Sequence, residues 1–403
     1  MSTTVPLTTV YANTRNGTAT YVQSDGTVAT QSALLTRTDH WISGQRGRLF
    51  EPSRTNSIRN STMVGATAGT LDTTGSLPTN WSMSGIATSS VTVATGTESG
   101  LAYTELRVNG TPTAPVRIFL DTATGIAASA GQNWTFSTWM KLESGTLTNV
   151  DNVQVANNRY TSGGAFHSAN SVFITLTSTS QRFSFPDTSI DDADGSGTIE
   201  SIRPRLQFTW TSGAVDFTVR IYGPQMELGS TPSSYIPTSN SAVTRAAETL
   251  TIPAAKLPYS ATAMSIQMDG LETFADEGSA TQETLFDWRV DSNNRITLAL
   301  DTDSTKVGTL TLTMVNGSGT DETISTTAEL TPGVDDPFNV AIVCTSNEIG
   351  IALDGTAETR VSHSIGLPDL SGADATLGGN GTRALVRAWN QDITDAGIEE
   401  AST

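Results

Sequence analysis

Apolar residues in this chain recur at every second position in short runs, and each run stops at a turn-forming pair or cluster. Tyr103-Thr104-Glu105-Leu106-Arg107-Val108, Asp216-Phe217-Thr218-Val219-Arg220-Ile221-Tyr222 and Arg295-Ile296-Thr297-Leu298-Ala299-Leu300 all read this way. Successive side chains of a strand point to opposite faces, so such runs bury one face and leave the other wet. Asn16-Gly17, Asp25-Gly26 and Asp354-Gly355 supply hairpin turns, because both members of these pairs tolerate positive φ. Many short alternating runs at close spacing, with no long helical stretch, predict an all-β chain. The expected organisation is two jelly-roll or β-sandwich domains in tandem, over residues 61–245 and 246–403. A short extended segment, residues 1–60, precedes them. It holds too few apolar residues for a core of its own and must lie against something else.

Charge narrows the partners. The 403 residues carry a net charge of −18, which excludes nucleic acid, since phosphate recognition needs a basic footprint. Residues 1–60 run the other way: six arginines (15, 37, 46, 48, 54 and 59) stand against Asp25, Asp39 and Glu51. That surplus of three leaves the remainder at −21. A mildly basic arm on an acidic body suits docking to an acidic protein surface, with Arg37, Arg46 and Arg48 as anchor candidates. A core-poor arm is also best buried between subunits, which predicts a homo-oligomer. Contact of the acidic body with any acidic partner would need screening, so such binding is expected to hold or improve as salt rises.

Cys344 is the single cysteine, so no intrachain disulfide can form, and Val340-Ala341-Ile342-Val343-Cys344 reads as a buried strand. No apolar run approaches the ~18 residues a bilayer span requires. The N-terminus lacks a basic region followed by an apolar run, which predicts synthesis in a cytoplasm.

Candidate chemistry is sparse. Glycoside hydrolysis needs two carboxylates facing one another, and no Glu-x-Asp-x-x-Glu run exists; Glu98 and Glu105 fall too far apart for one face of a strand. His40, His167 and His363 show neither a nucleophile elbow nor a zinc spacing. Asp191, Asp192, Asp194 and Glu200 surround Gly195-Ser196-Gly197, an oxygen-rich, glycine-kinked loop of the kind that suits calcium, though not at EF-hand spacing. No other cofactor is implied. For sugars, Trp288 beside Asp287 and Arg289, with Asn293 nearby, is the first stacking candidate. Trp134 is the second; Trp139, five residues on, should point to the opposite face.

Two further signatures stand out. One is Leu49-Phe50-Glu51-Pro52-Ser53-Arg54-Thr55-Asn56. The other runs Gly223-Pro224-Gln225-Met226-Glu227-Leu228-Gly229-Ser230, through Ser233-Ser234-Tyr235-Ile236-Pro237-Thr238, to Val243-Thr244-Arg245-Ala246-Ala247-Glu248. Together with Thr20-Tyr21-Val22 and Thr36-Arg37-Thr38-Asp39-His40 before them, they resemble fibre, spike and minor tail proteins of tailed bacteriophages. In that family the first signature opens a carbohydrate-binding-type sandwich and the second closes it. The end of the chain, Ala384 to Asn390 and then Ile393 to Glu400, is similar to the close of concanavalin-like (laminin-G-like) domains. There a last strand runs into a short helix, for which Thr394 would be the N-cap. The resemblance implies a non-enzymatic structural protein on the exterior of a virion. It would be joined to other capsid or tail proteins as a homo-oligomer about a symmetry axis of the particle, a trimer first and a pentamer second, and would adhere to host surface polysaccharide. The alternatives are a decoration protein without ligand and, third, a glycan depolymerase.

Overall fold

Every ladder between the strands is antiparallel in the computed structural model, which describes residues 2–4, 12–13, 15–38, 40–42, 45–86, 89–121, 125–188, 190–278, 281–317 and 321–403. The alternating runs have become those strands, and the fold is all-β, built of sandwiches. The chain separates into a unit of Arg54–Arg245 and a unit formed by Met1–Ser53 together with Ala246–Thr403.

In the Arg54–Arg245 unit, one sheet runs in the order Gln181–Asp187, Trp134–Thr146, Val215–Leu228, Leu101–Gly110, Ser89–Glu98, Gly69–Thr70. It is called the Trp139 sheet below. The other, the Arg205 sheet, runs Phe166–Ile174, Val150–Thr161, Ile199–Trp210, Val116–Phe119, Ser82–Ser84. Alternation dictates the core: Leu106, Val108, Val219 and Ile221 point inward from the first sheet, Val153, Val155, Leu206 and Ile118 from the second, and all are buried. The layers meet where Phe208 stacks on Phe217 with ring centroids 4.9 Å apart.

The two long signatures close this unit with polar bonds. Val243–Arg245 pairs with Arg54–Asn56. Buried Asn56 donates to the carbonyls of Pro224 and Ile236 and accepts the amides of Ile58 and Met226. Gln225 accepts the Ile236 amide at 2.6 Å, Glu227 accepts that of Ser233, and the Tyr235 hydroxyl bonds to Ser61. Gly223 sits at φ 55°, where a Cβ would lie 2.8 Å from the Trp139 ring, so only glycine lets the strand pass beneath that ring. These residues make a clasp whose side chains are consumed by structure.

The second unit holds a sheet containing Gly333–Thr345, Ala263–Phe274 and Gly381–Trp389, and a facing sheet containing Gln282–Asp291, Asn294–Asp301 and Thr309–Asn316. Their inner faces share one core, with Met268 and Ile342 from one sheet against Leu298 and Leu312 from the other. On Gly333–Thr345 the outer face is buried too: Ala341 and Val343 pack against Ile398 of the helix Thr394–Ala401. The cap differs from the one expected: Ile393 holds the N-cap position without a side-chain cap bond, and Thr394 is the first helical residue, its hydroxyl accepting the Gly397 amide at 3.4 Å. Cys344 is buried and free, and burial pushes its thiol up to about 12.

The domain borders differ from those expected. Residues 1–53 do not stand apart as an anchor, and the clasp begins at Arg54, not at 61. Gln45–Phe50 joins the sheet beside Gly381–Trp389, with Phe50 opposite Gly381 and Arg48 opposite Arg383. Ser2–Thr4 pairs with the same strand, and Ala12–Asn13 with Leu250–Ile252. The surface that a core-poor segment must lie against is thus the last 158 residues of the same chain. A buried cluster fastens it: Arg15 Nε donates to Glu248 at 2.8 Å, and Arg37 bonds Glu51 at 2.6 Å and also Glu248. Burial opposes the charge on Arg37, but Glu51 and Glu248 outweigh it and raise its pKa.

Candidate functional site

Most residues singled out in the sequence are structural. Trp288 is 1% exposed, donates its indole N–H to the Ala373 carbonyl at 2.9 Å and packs edge-on against Tyr259. It belongs to the core because its face of the strand turns to the facing sheet, while Asp287 and Arg289 on either side of it point outward. Trp134 is also buried, its indole bonded to Gln132. Asn293 lies exposed in a hairpin turn, its amide donated to Asp291. Neither tryptophan can stack on a sugar.

The acidic loop is committed to itself. Asp191 accepts the Ala193 amide, Asp192 accepts the Ile199 amide at 2.7 Å, Asp194 pairs with Arg159, and Glu200 stands exposed. Among the described residues no group of three or more acidic, histidine or cysteine side chains is placed to hold a metal ion. Of the anchor candidates, Arg37 and Arg48 are buried, which keeps them from another protein's surface, while Arg46 is exposed. Asp39 lies outside the described residues.

Two outer faces of the Arg54–Arg245 unit then compete. On the Trp139 sheet, Trp139 does point away from Trp134, but it is half-buried. Tyr222 stacks beside it at 6.4 Å, Tyr235 meets it edge-on, and the Arg182 guanidinium lies 4.6 Å above the ring. The rest of that face is a closed ionic network. Arg220 bonds Glu98 at 2.7 Å, Glu105 at 2.8 Å and Glu143 at 3.0 Å, and Lys141 bonds Glu98 and Glu143. Glu98 and Glu105 therefore do share a face, which their spacing in sequence hid: they sit on the two strands of one hairpin. A shallow groove nearby is lined by Thr92, Glu105, Arg107, Ser144, Asp216 and Thr218, without an aromatic ring. Its Arg107 is neutralised by Asp216 at 2.9 Å.

The Arg205 sheet presents the opposite chemistry. Along Ile199–Trp210 the outward positions are Arg203, Arg205, Gln207 and Thr209, since Ile202, Leu206 and Phe208 point inward. Pairing sets Arg203 beside Asn158, Arg205 beside Ala156 and Gln207 beside Gln154. On the far side Arg117 donates to Gln207 at 2.8 Å, and Gln207 to Gln154 at 3.2 Å. Aromatic rings flank this row. At one end Tyr160 and Phe166 meet edge-on with centroids 6.0 Å apart, and Arg203 lies 4.0 Å over Tyr160. At the other end Phe173 stands beside Gln154 and is 68% exposed; Phe166 is 59% exposed. Flat amide and guanidinium groups between exposed rings can hydrogen-bond hydroxyls while the rings cover apolar faces. The sequence conceals the face because its residues are scattered over four strands. The alternation of Arg203, Arg205 and Gln207 was the available signal.

No family model matches the chain, and no curated protein matches it. Solved structures overlap it in part. A leech intramolecular trans-sialidase is 12% identical over 36% of this chain and 23% of its own, with a TM-score of 0.30. Domains LG4-5 of mouse laminin α1 are 12% identical over 64% and 82%, with a TM-score of 0.23. The tandem CBM22 domains of Paenibacillus barcinonensis Xyn10C are 11% identical over 86% and 100%, with a TM-score of 0.25. The chain thus spans less than a quarter of the sialidase's length. At such scores these overlaps bear on no functional argument.

Proposed function

We propose that this chain is a non-enzymatic structural component of a tailed-phage or phage-like particle, displayed on its exterior as a homo-oligomer, a trimer first, that adheres to host surface polysaccharide. The Arg205 face of the Arg54–Arg245 unit is the adhesive surface. The particle assignment is supported by the two long signatures and their lead-in. The observation that carries adhesion is the row of guanidinium and amide groups between exposed rings. Against a hydrolase stands the state of the convergent carboxylates. Glu98 is held below the usual carboxylate range: burial works to raise it, but bonds from Lys141 and Arg220 prevail. A general acid needs the reverse shift.

Adhesion through a shallow face is weak per site and gains strength from several copies. Purified chain is expected to sediment with encapsulated host cells, to spare capsule-free cells and to release no reducing sugar. Phe173→Ala and Tyr160→Ala should each lower retention by ~10-fold, equivalent to about 1.4 kcal/mol, because both remove ring area. Sugar release would overturn the non-enzymatic reading. Retention unchanged in both variants would remove this face as the adhesive surface, and equal binding to capsule-free cells would favour a decoration protein without ligand.

A further inference from the structure

We infer that the Arg205 face takes an acidic glycan, with a sugar carboxylate seated on the Arg205 guanidinium; this rests on the adhesion reading above and names its ligand class. The chain is strongly acidic, yet Arg117, Arg203 and Arg205 share one sheet face. Among the described residues none of the three makes an ion pair with a carboxylate. The contrast within the same unit is direct: Arg220 on the other face is surrounded by three carboxylates and Arg107 is matched by Asp216.

Arg205 itself is only 8% exposed, and its Nε–H is buried without an acceptor. The Nε–H of Arg203 and the Oδ1 of Asn158 beside it are buried and unpartnered as well. Burial lowers the Arg205 guanidinium to about 10, and the neighbouring Arg117 adds to the effect. A buried polar group normally finds a partner, because leaving it unpaired is unfavourable. Three such groups on one face describe a surface completed by a ligand that brings an anion and hydroxyls. A carboxylate matches the planar fork of a guanidinium with two parallel bonds, and a hydroxyl can donate to Asn158 Oδ1.

Space is available for it. The strand positions beside Arg205 and Asn158 carry Ala156, Ser171 and Ala169, whose small side chains leave the row uncovered. The rings lie at either end, Tyr160 with Phe166 and then Phe173, so a saccharide chain running along the strands would rest residues on both while its acid group meets Arg205. This local geometry reverses the salt response expected from net charge: binding should weaken as ionic strength rises.

Affinity electrophoresis of the full chain tests the inference, using gels cast with polygalacturonate, alginate, hyaluronate or polysialate and with the carboxyl-reduced counterpart of each. Retardation by at least one acid polymer, lost on its reduction, is the expected result. Arg205→Gln should weaken that retardation by ~10-fold or more, the loss of a charge-assisted pair. Arg107→Gln, on the other sheet, should migrate like the parent. Arg203→Gln gives a second reading, and melting temperatures of all variants separate lost binding from lost folding. Equal retardation by acid and reduced polymers would overturn the carboxylate assignment and leave adhesion standing. So would retardation that is unchanged in folded Arg205→Gln. No retardation by any polymer of either series would overturn both readings.

Discussion

Replacing Glu248 by glutamine keeps the size of the side chain and removes one of two buried carboxylates that face two buried arginines. Arg15 donates to Glu248 from Nε, and Arg37 reaches both Glu248 and Glu51; all four residues are at most 7% exposed. In the parent the cluster is neutral. The variant leaves one uncompensated positive charge inside, and breaking a buried pair in this way costs about 3–5 kcal/mol. For a unit of this size each kcal/mol moves the melting temperature by roughly 2–4 °C, so a fall of about 6–20 °C is expected. Calorimetry should show that fall in the transition of the unit formed by Met1–Ser53 and Ala246–Thr403. The transition of Arg54–Arg245 should stay in place. Adding Arg15→Met to Glu248→Gln restores neutrality and should recover part of the loss, a coupling that a double-mutant cycle reads directly. A variant that melts within ~1 kcal/mol of the parent would refute the claim that this cluster fastens the first 53 residues.

Two further outcomes follow from the same region. His40 is buried, accepts the Val22 amide on Nδ1, and has its pKa lowered to about 4, mainly by burial. The unfolded chain takes up a proton near the ordinary histidine value and the folded chain does not, so stability should fall between about pH 6.5 and pH 4, by ~2–3 kcal/mol at pH 4.5. Urea midpoints at pH 7 and pH 4.5 check this, and His40→Gln should show a smaller drop; an identical drop would exclude His40 as the cause. Deleting residues 1–48 removes most of the strand Gln45–Phe50 and takes Arg15 and Arg37 away from Glu51 and Glu248. The truncated chain should lose the cooperative transition of its C-terminal unit, and retention of that transition at the parent temperature would show that the segment is a separable arm after all.

Some of this was legible in the amino-acid order. Period-two runs such as Phe217-Thr218-Val219-Arg220-Ile221 announce strands and divide inward from outward residues, because alternation is a property of one strand and needs no partner. The same locality made Cys344 readable as a buried thiol. What pairing decides is invisible at that range. Glu98 and Glu105 look remote until a hairpin sets them around one arginine. Trp288 looks like a ligand platform until the facing sheet covers it. Residues 1–53 look like an arm until a strand more than 330 residues downstream accepts Gln45–Phe50 as its neighbour. The Arg205 face draws on Val116–Phe119, Val150–Thr161, Phe166–Ile174 and Ile199–Trp210, and its character comes from what is missing beside three arginines. Which carboxylates lie within reach of a guanidinium is settled by strand register and sheet order, and those follow from long-range burial and the hydrogen bonds of the ladders.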